Sequence, residues 1–81
     1  MSAPETFKAA CLQVNASTDM AANVAVAADL ARRAVGEGAD LVLMPENVSM
    51  MEWGRANVAA KAMPEESHAG LIAFRALAKE L

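Results

Sequence analysis

The sequence predicts an α/β fold built on a parallel β-sheet, and three features indicate it. Residues 7–14 and 40–44 are short apolar runs, and an amphipathic segment of residues 19–35 lies between them. The second run has no polar alternation, which is typical of a strand covered on both faces, as in parallel sheets. Strand, helix and strand in this span predict a βαβ unit with a right-handed crossover.

The first run, residues 7–14, is predicted to be a buried strand. Its apolar pattern alone does not exclude a helix, but the turn-prone residues 15–18 that follow it favour a strand. The same turn contains no glycine. Dinucleotide binding is therefore not expected, since that fold needs a glycine-rich turn between its first strand and helix.

The helix of residues 19–35 is predicted from its periodicity and its ends. Ser17 or Thr18 can cap its start, and Asp19 places a negative charge at the positive end of the helix dipole. Gly36 and Gly38 supply stop signals. Val26 is the one apolar residue that does not fit. One face of the helix is apolar and consists of Met20, Val24, Ala27, Ala28, Leu30, Ala31, Ala34 and Val35. The opposite face is charged and consists of Asp19, Asp29, Arg32 and Arg33.

After the second strand the pattern becomes less regular. Pro45 ends that strand because it cannot donate to the ladder. Residues 47–63 predict a loop with a short helical turn at 58–62, and a second helix is predicted from Pro64 onward, weakened by Gly70.

Composition narrows the functional class. The 81 residues include one cysteine, Cys11, so no internal disulfide can form, and no Cys/His cluster suggests a zinc site or another cofactor. A lone thiol suits a reducing, cytoplasmic location. The net charge of −3, with interspersed signs, argues against nucleic acid or an anionic membrane as a partner. No signal peptide is expected at the start, and no apolar run is long enough to span a bilayer.

Glu46 is the candidate catalytic residue. Ligands of open α/β sheets bind beyond the carboxyl ends of the strands, and Glu46 follows such a strand directly after Pro45. Partial burial there would suit a general base. On these grounds alone, a catalytic role and a solvated loop position are equally consistent with the sequence.

The chain resembles the nitrilase superfamily of carbon–nitrogen hydrolases. The resemblance covers residues 8–46, with Gln13 on the first strand, Asn23 in the helix and the stretch Gly38-Ala39-Asp40-Leu41-Val42-Leu43-Met44-Pro45-Glu46. It implies the amino-terminal β-α-β-α portion of an αββα sandwich. Residues 1–81 are then expected to be an incomplete amino-terminal part of a carbon–nitrogen hydrolase domain.

The resemblance implies hydrolysis of a small-molecule amide by a Glu-Lys-Cys triad. In that chemistry the cysteine attacks the carbon, the lysine stabilises the oxyanion, and the glutamate moves protons and activates water. Only the glutamate matches here, at Glu46. Cys11 is expected to be a small buried hydrophobe, and Lys8, Lys61 and Lys79 to be solvated. The 81 residues are therefore expected to be inactive by themselves, and the full-length protein to be a homo-oligomer.

Within the superfamily, residues 45–54 are similar to bacterial amidases that act on deaminated glutathione. Omega-amidases acting on α-keto acid amides are the alternative, and a truncated, non-catalytic interaction module is the alternative from another class. Met50, Met51 and Trp53 are interpreted as packing residues rather than as a substrate pocket. His68 is interpreted as an exposed surface residue.

Overall fold

The computed structural model describes residues 5–81 as a small mixed α/β structure. Residues 1–4, part of the start at which no signal peptide is expected, lie outside the described residues. The elements run in the order β1 (Ala9–Cys11), α1 (Met20–Gly36), β2 (Leu41–Leu43), α2 (Arg55–Lys61), a 3-10 turn (Glu65–Ser67) and α3 (Ala69–Glu80). The predicted order of strands and helices is confirmed, whereas both strands are shorter than predicted.

The two strands pair in parallel. Ala9 lies opposite Leu41, and Cys11 lies opposite Leu43. Before the ladder begins, the amide of Lys8 donates to the carboxylate of Asp40 at 3.0 Å. The predicted parallel βαβ arrangement is therefore present, with α1 connecting two strands that run in the same direction.

Helix α1 begins one residue later than predicted, and its cap is Asp19 rather than Ser17 or Thr18. The side chain of Asp19 accepts a 3.2 Å hydrogen bond from the amide of Ala22. Ser17 instead accepts from the amide of Asp19 through its hydroxyl. The helix ends at Gly36, and Gly38 then adopts a φ of 99°, which a residue with a side chain rarely does.

The second predicted helix is divided into two parts. Pro64 precedes the 3-10 turn, and His68 separates that turn from α3 with extended backbone angles. Helix α3 then packs beside α1, where Arg32 of α1 forms an ion pair with Glu80 of α3 at 3.0 Å. Neither α1, at 17 residues, nor any other helix of the described part combines the length and apolar composition needed to span a bilayer.

The hydrophobic core lies on one face of the sheet. Its central cluster consists of three buried residues: Leu12, directly after β1, Ala31 of α1 and Leu77 of α3. Val42 of β2 packs against this cluster from the same face. Side chains alternate across a strand, so the neighbouring residues of β1 and β2 point away from the helices.

That outer face of the sheet is uncovered in the described residues, and the prediction that Cys11 is buried is wrong. Leu41 and Leu43 are each 46% exposed, as expected of two strands with so few helices, since cover on both faces was expected only of a larger α/β domain. Cys11, predicted to be buried, is exposed. The physical reason is shared, because α1 and α3 both pack on the face that carries Leu12 and Val42.

Candidate functional site

The loops that follow β1 and β2 start at the same edge of the sheet. Cys11 and Leu43 are register partners, and the amide of Leu12 donates to the carbonyl oxygen of Leu43 at 2.9 Å. Residues 13–18 and 44–53 leave the strands from this point. We call these two loops the carboxyl edge, and it is where ligands of parallel sheets bind.

Glu46 lies on the second loop of the carboxyl edge, in a turn three residues beyond β2. Asn47 follows it with a φ of 59°, in the left-handed region that asparagine tolerates better than most residues. The side chain of Glu46 is exposed, so the predicted partial burial is not observed. None of the ion pairs among the described residues involves Glu46.

Asn23 joins the two loops of the carboxyl edge. This buried residue, 7% exposed, lies in the first turn of α1. Its Nδ2 donates to the carbonyl oxygens of Ser17 at 2.7 Å and Ser49 at 2.9 Å. Its Oδ1 accepts from the backbone amide of Ser17 at 2.8 Å and from the Ser17 hydroxyl at 3.1 Å. Both donors and both lone pairs of the amide are therefore used.

A backbone bond completes this connection. The amide of Met51 donates to the carbonyl oxygen of Ser17 at 2.9 Å. That carbonyl oxygen accepts from both Asn23 and Met51, so the loop after β1 and the loop after β2 share one acceptor. Consequently the backbone of the second loop is held at Ser49 and Met51, although the side chain of Glu46 is open to solvent.

The sequence pattern contained a signal for Asn23 as a structural residue. Asn23, Ala27 and Ala31 are spaced four residues apart and are the buried residues of α1. A polar residue on an otherwise apolar helix face must find hydrogen-bond partners when it is buried. In the sequence it enters only through the family resemblance, because the pattern does not show which loops supply those partners.

Lys61 of α2 is exposed, as predicted, but it also bonds to both loops of the carboxyl edge. Its Nζ donates to the carboxylate of Glu52 at 2.6 Å and to the carbonyl oxygen of Thr18 at 3.0 Å. The Glu52 side chain is only 10% exposed, against 42% for Lys61. The hydrogen bond from Lys61, followed by that from the amide of Trp53, holds the pKa of Glu52 below its ordinary value.

The other candidate side chains lie elsewhere. Lys8 is at the opposite end of the strands, where its Nζ donates to the carbonyl oxygen of Glu37 at 3.1 Å. Lys79 is in the last turn of α3. Cys11 lies within β1, on the outer face of the sheet. No ion pair or hydrogen bond among the described residues brings Glu46 together with a lysine or with Cys11.

A cleft of about 410 Å³ lies beside the loop that carries Glu46. Its wall combines methionines from three segments with a few polar side chains, namely Met20, Asn47, Val48, Ser49, Met50, Lys61, Ala62, Met63 and His68. A larger cavity of about 500 Å³ lies between α1, α3 and β2. Glu46 lines neither of them, but the smaller cleft is the one whose wall includes residues 47–50 of the carboxyl edge.

The remaining predictions for this region are mixed. His68 is half-buried, and its Nδ1 accepts from the amide of Leu71 at 3.1 Å, so it caps α3 and is not a surface residue. Met50 and Met51 are half-buried, but Met50 also lines the cleft, so its position fits a pocket as well as packing. Trp53 is 75% exposed and does not pack under its loop.

Neither a metal site in the described residues nor a related protein helps to assign a function. No group of three or more His, Cys, Asp or Glu side chains with the geometry to hold a metal ion occurs in the described part of the chain. No protein-family model matches the chain, and neither the curated proteins nor the solved structures give a significant match.

Proposed function

We propose that this chain is the amino-terminal part of a nitrilase-type carbon–nitrogen hydrolase, with Glu46 as its general base. One observation carries the proposal: Glu46 lies three residues beyond a parallel strand, on a loop that Asn23 joins to the loop after the neighbouring strand. A general base must be held at a defined position relative to the substrate. The Pro45-Glu46 pair and the order of the elements match the pattern on which the family resemblance rests.

The proposed reaction is hydrolysis of a small linear amide, with deaminated glutathione as the favoured substrate. Glu46 takes the proton of a cysteine thiol as that thiol attacks the amide carbon, and passes it to the departing ammonia. It then activates the water that hydrolyses the thioester and releases the acid. The cysteine and the lysine of this triad come from other parts of the proposed full-length domain. Among the described residues, neither Cys11 nor any of the three lysines forms a hydrogen bond or ion pair with Glu46.

The exposed face of the sheet supports the view that more protein packs against this chain. Leu41 and Leu43 are 46% exposed, and a parallel sheet is ordinarily covered on both faces. The same observation favours a second candidate, a non-catalytic interaction module whose partner covers this face. In the hydrolase, the rest of the same domain would cover this face of the sheet. In the interaction module, a separate protein would cover it.

The test begins with the native product. Its intact mass is measured by mass spectrometry after immunoprecipitation from the source cells. A product of hydrolase size is then assayed for ammonia release from deaminated glutathione, as the wild type and as Glu46→Gln. Loss of the general base is expected to lower kcat by about 100- to 10,000-fold.

Glu66→Gln is the matched control, since Glu66 is an exposed glutamate in the 3-10 turn. It should retain wild-type activity. Full activity in Glu46→Gln would refute the general-base role. A native product of 81 residues that has no amidase activity would refute the hydrolase and leave the interaction module.

A further inference from the structure

The segment formed by α2 and its flanking residues is the least embedded part of the described fold. Helix α2 has no buried residue, and every residue from Arg55 to Met63 is exposed. The backbone at both ends of α2 suits movement of the helix as a rigid unit. Gly54 precedes it with a φ of 85°, and Ala62 leaves it in an extended conformation just before Pro64.

One side chain connects this segment to the rest of the molecule. The hydrogen bonds within it are local, such as Ala62 to Val58 and Asn57 to Trp53. The amide of Trp53 donates to the adjacent Glu52 carboxylate at 3.0 Å. Among the side chains of residues 53–63, Lys61 alone makes hydrogen bonds to described residues outside that range. It bonds to Thr18 of the loop after β1, and to Glu52 at the base of the segment.

The last turn of the segment lies between two clefts. One is the 410 Å³ cleft beside the Glu46 loop, and the other, of about 420 Å³, lies toward the start of α1. Four residues line both clefts: Met20, Met50, Lys61 and Met63. Lys61 and Met63 belong to the segment. If the segment moved away, the part of the wall between the two clefts that they form would move with it.

We propose that residues 53–63 are a lid over the carboxyl edge and that Lys61 is its latch. In the closed state the Lys61 ammonium holds the lid to the Thr18 carbonyl oxygen and closes the lid's base through Glu52. When these bonds break, the two clefts merge, and the loop that contains Asn47 and Val48 opens to solvent. This inference does not depend on Glu46 being catalytic.

Access to the cleft can be measured with a thiol at its wall. Val48 is half-buried and lines the cleft. In the full chain, Val48→Cys is placed in a Cys11→Ser background, and its alkylation by iodoacetamide is followed by intact mass spectrometry. Adding Lys61→Met removes both bonds of the latch but keeps an unbranched side chain. Alkylation should become about three- to tenfold faster, the change expected for loss of the one bond, to Thr18, that joins the lid to the rest of the molecule.

Electrostatics cannot account for that result. Removing a cation near a thiol lowers its thiolate fraction and would slow alkylation, so a faster rate reports on access. Lys79→Met, in the last turn of α3, is the matched control and should leave the rate unchanged. Circular dichroism of each variant establishes that the helices persist.

An unchanged alkylation rate in folded Lys61→Met would overturn the proposal. Should that variant lose its helical signal, Lys61→Gln decides, because its side chain stays polar but is too short to reach both Thr18 and Glu52. Faster alkylation in Lys61→Gln supports the latch, and a wild-type rate overturns it.

Discussion

The side chain of Asn23 donates a 2.9 Å hydrogen bond to the carbonyl oxygen of Ser49, 26 residues further along the chain. This bond connects the first turn of α1 to the loop that carries Glu46. Asn23→Ala removes it and also leaves the partly buried amide of Ser17 without its side-chain acceptor. We expect a loss of about 1–3 kcal/mol in the free energy of unfolding, the cost of unpaired buried groups, measured by urea denaturation.

Asn15→Ala is the control for that measurement, because Asn15 is an exposed loop residue of the same type. Its effect should stay within about 0.5 kcal/mol, as for most surface substitutions. Equal stabilities for the two variants would show that the hydrogen bonds of Asn23 do not stabilise the fold.

Asp19 is expected to stabilise α1 as its N-cap. Asp19→Ala removes the acceptor for the amide of Ala22 and should destabilise the protein by about 1 kcal/mol. Asp19→Asn retains a side-chain oxygen in the same place and should stay close to the wild type. Urea denaturation of the three proteins provides the comparison, and a cap role fails if alanine and asparagine give the same value.

Gly70 and Gly36 form a matched pair of helix glycines. A Cβ at Gly70 would lie 3.0 Å from the Cβ of Ser49 and 3.0 Å from Cε1 of His68, whereas a Cβ at Gly36 meets nothing within 4 Å. Alanine favours the helix at both positions. At Gly70, however, it displaces the His68 cap or the Ser49 loop, at the cost typical of overpacking.

We therefore expect Gly70→Ala to be less stable than Gly36→Ala by about 1–2 kcal/mol. Thermal and urea denaturation of the two single variants are the measurement. If Gly70→Ala is the more stable of the two, α3 has room to shift away from Ser49, and the close packing at this point does not constrain the loop.

The Lys61–Glu52 pair predicts a dependence of stability on pH. Lys61 lowers the pKa of Glu52 in the folded protein. A lowered carboxyl pKa stabilises the fold above the ordinary glutamate pKa of about 4.3. This stabilisation is lost as the pH falls through the lower pKa of the folded state.

The measurement is the urea midpoint of the wild type and of Lys61→Met between pH 7 and pH 3. The wild type should be the more stable at pH 7, and the difference should shrink below about pH 4. Lys79→Met should follow the wild-type profile throughout. A difference between wild type and Lys61→Met that stays constant down to pH 3 would contradict the pairing.

The order and type of the elements were predictable from the sequence because they depend on local patterns. The periodicity of residues 19–35 and the apolar run at 40–44 identify α1 and β2 without tertiary information. The break at His68 was not predicted, since a histidine in a run of helix-forming residues carries no local stop signal. It is set by the hydrogen bond from Leu71 to the imidazole.

Burial and the details of the site were less accessible to prediction. An uninterrupted run such as Leu41-Val42-Leu43 indicates two covered faces, but the number of helices available to cover them is a tertiary property. The location of Glu46 beyond β2 followed from topology, whereas its exposure did not. The partners of Asn23 and Lys61 lie in loops distant in sequence, so neither interaction has a local signature.

The location of Asn23 has a consequence for the order of folding events. Its partners lie in two loops, so its hydrogen bonds cannot form until α1 exists and both strands have met. Contacts of this kind, which require several separate segments to be in place, are expected to form after the transition state and to give low φ-values. The carboxyl edge would then be assembled last, and mutations at Asn23 would accelerate unfolding more than they slow folding.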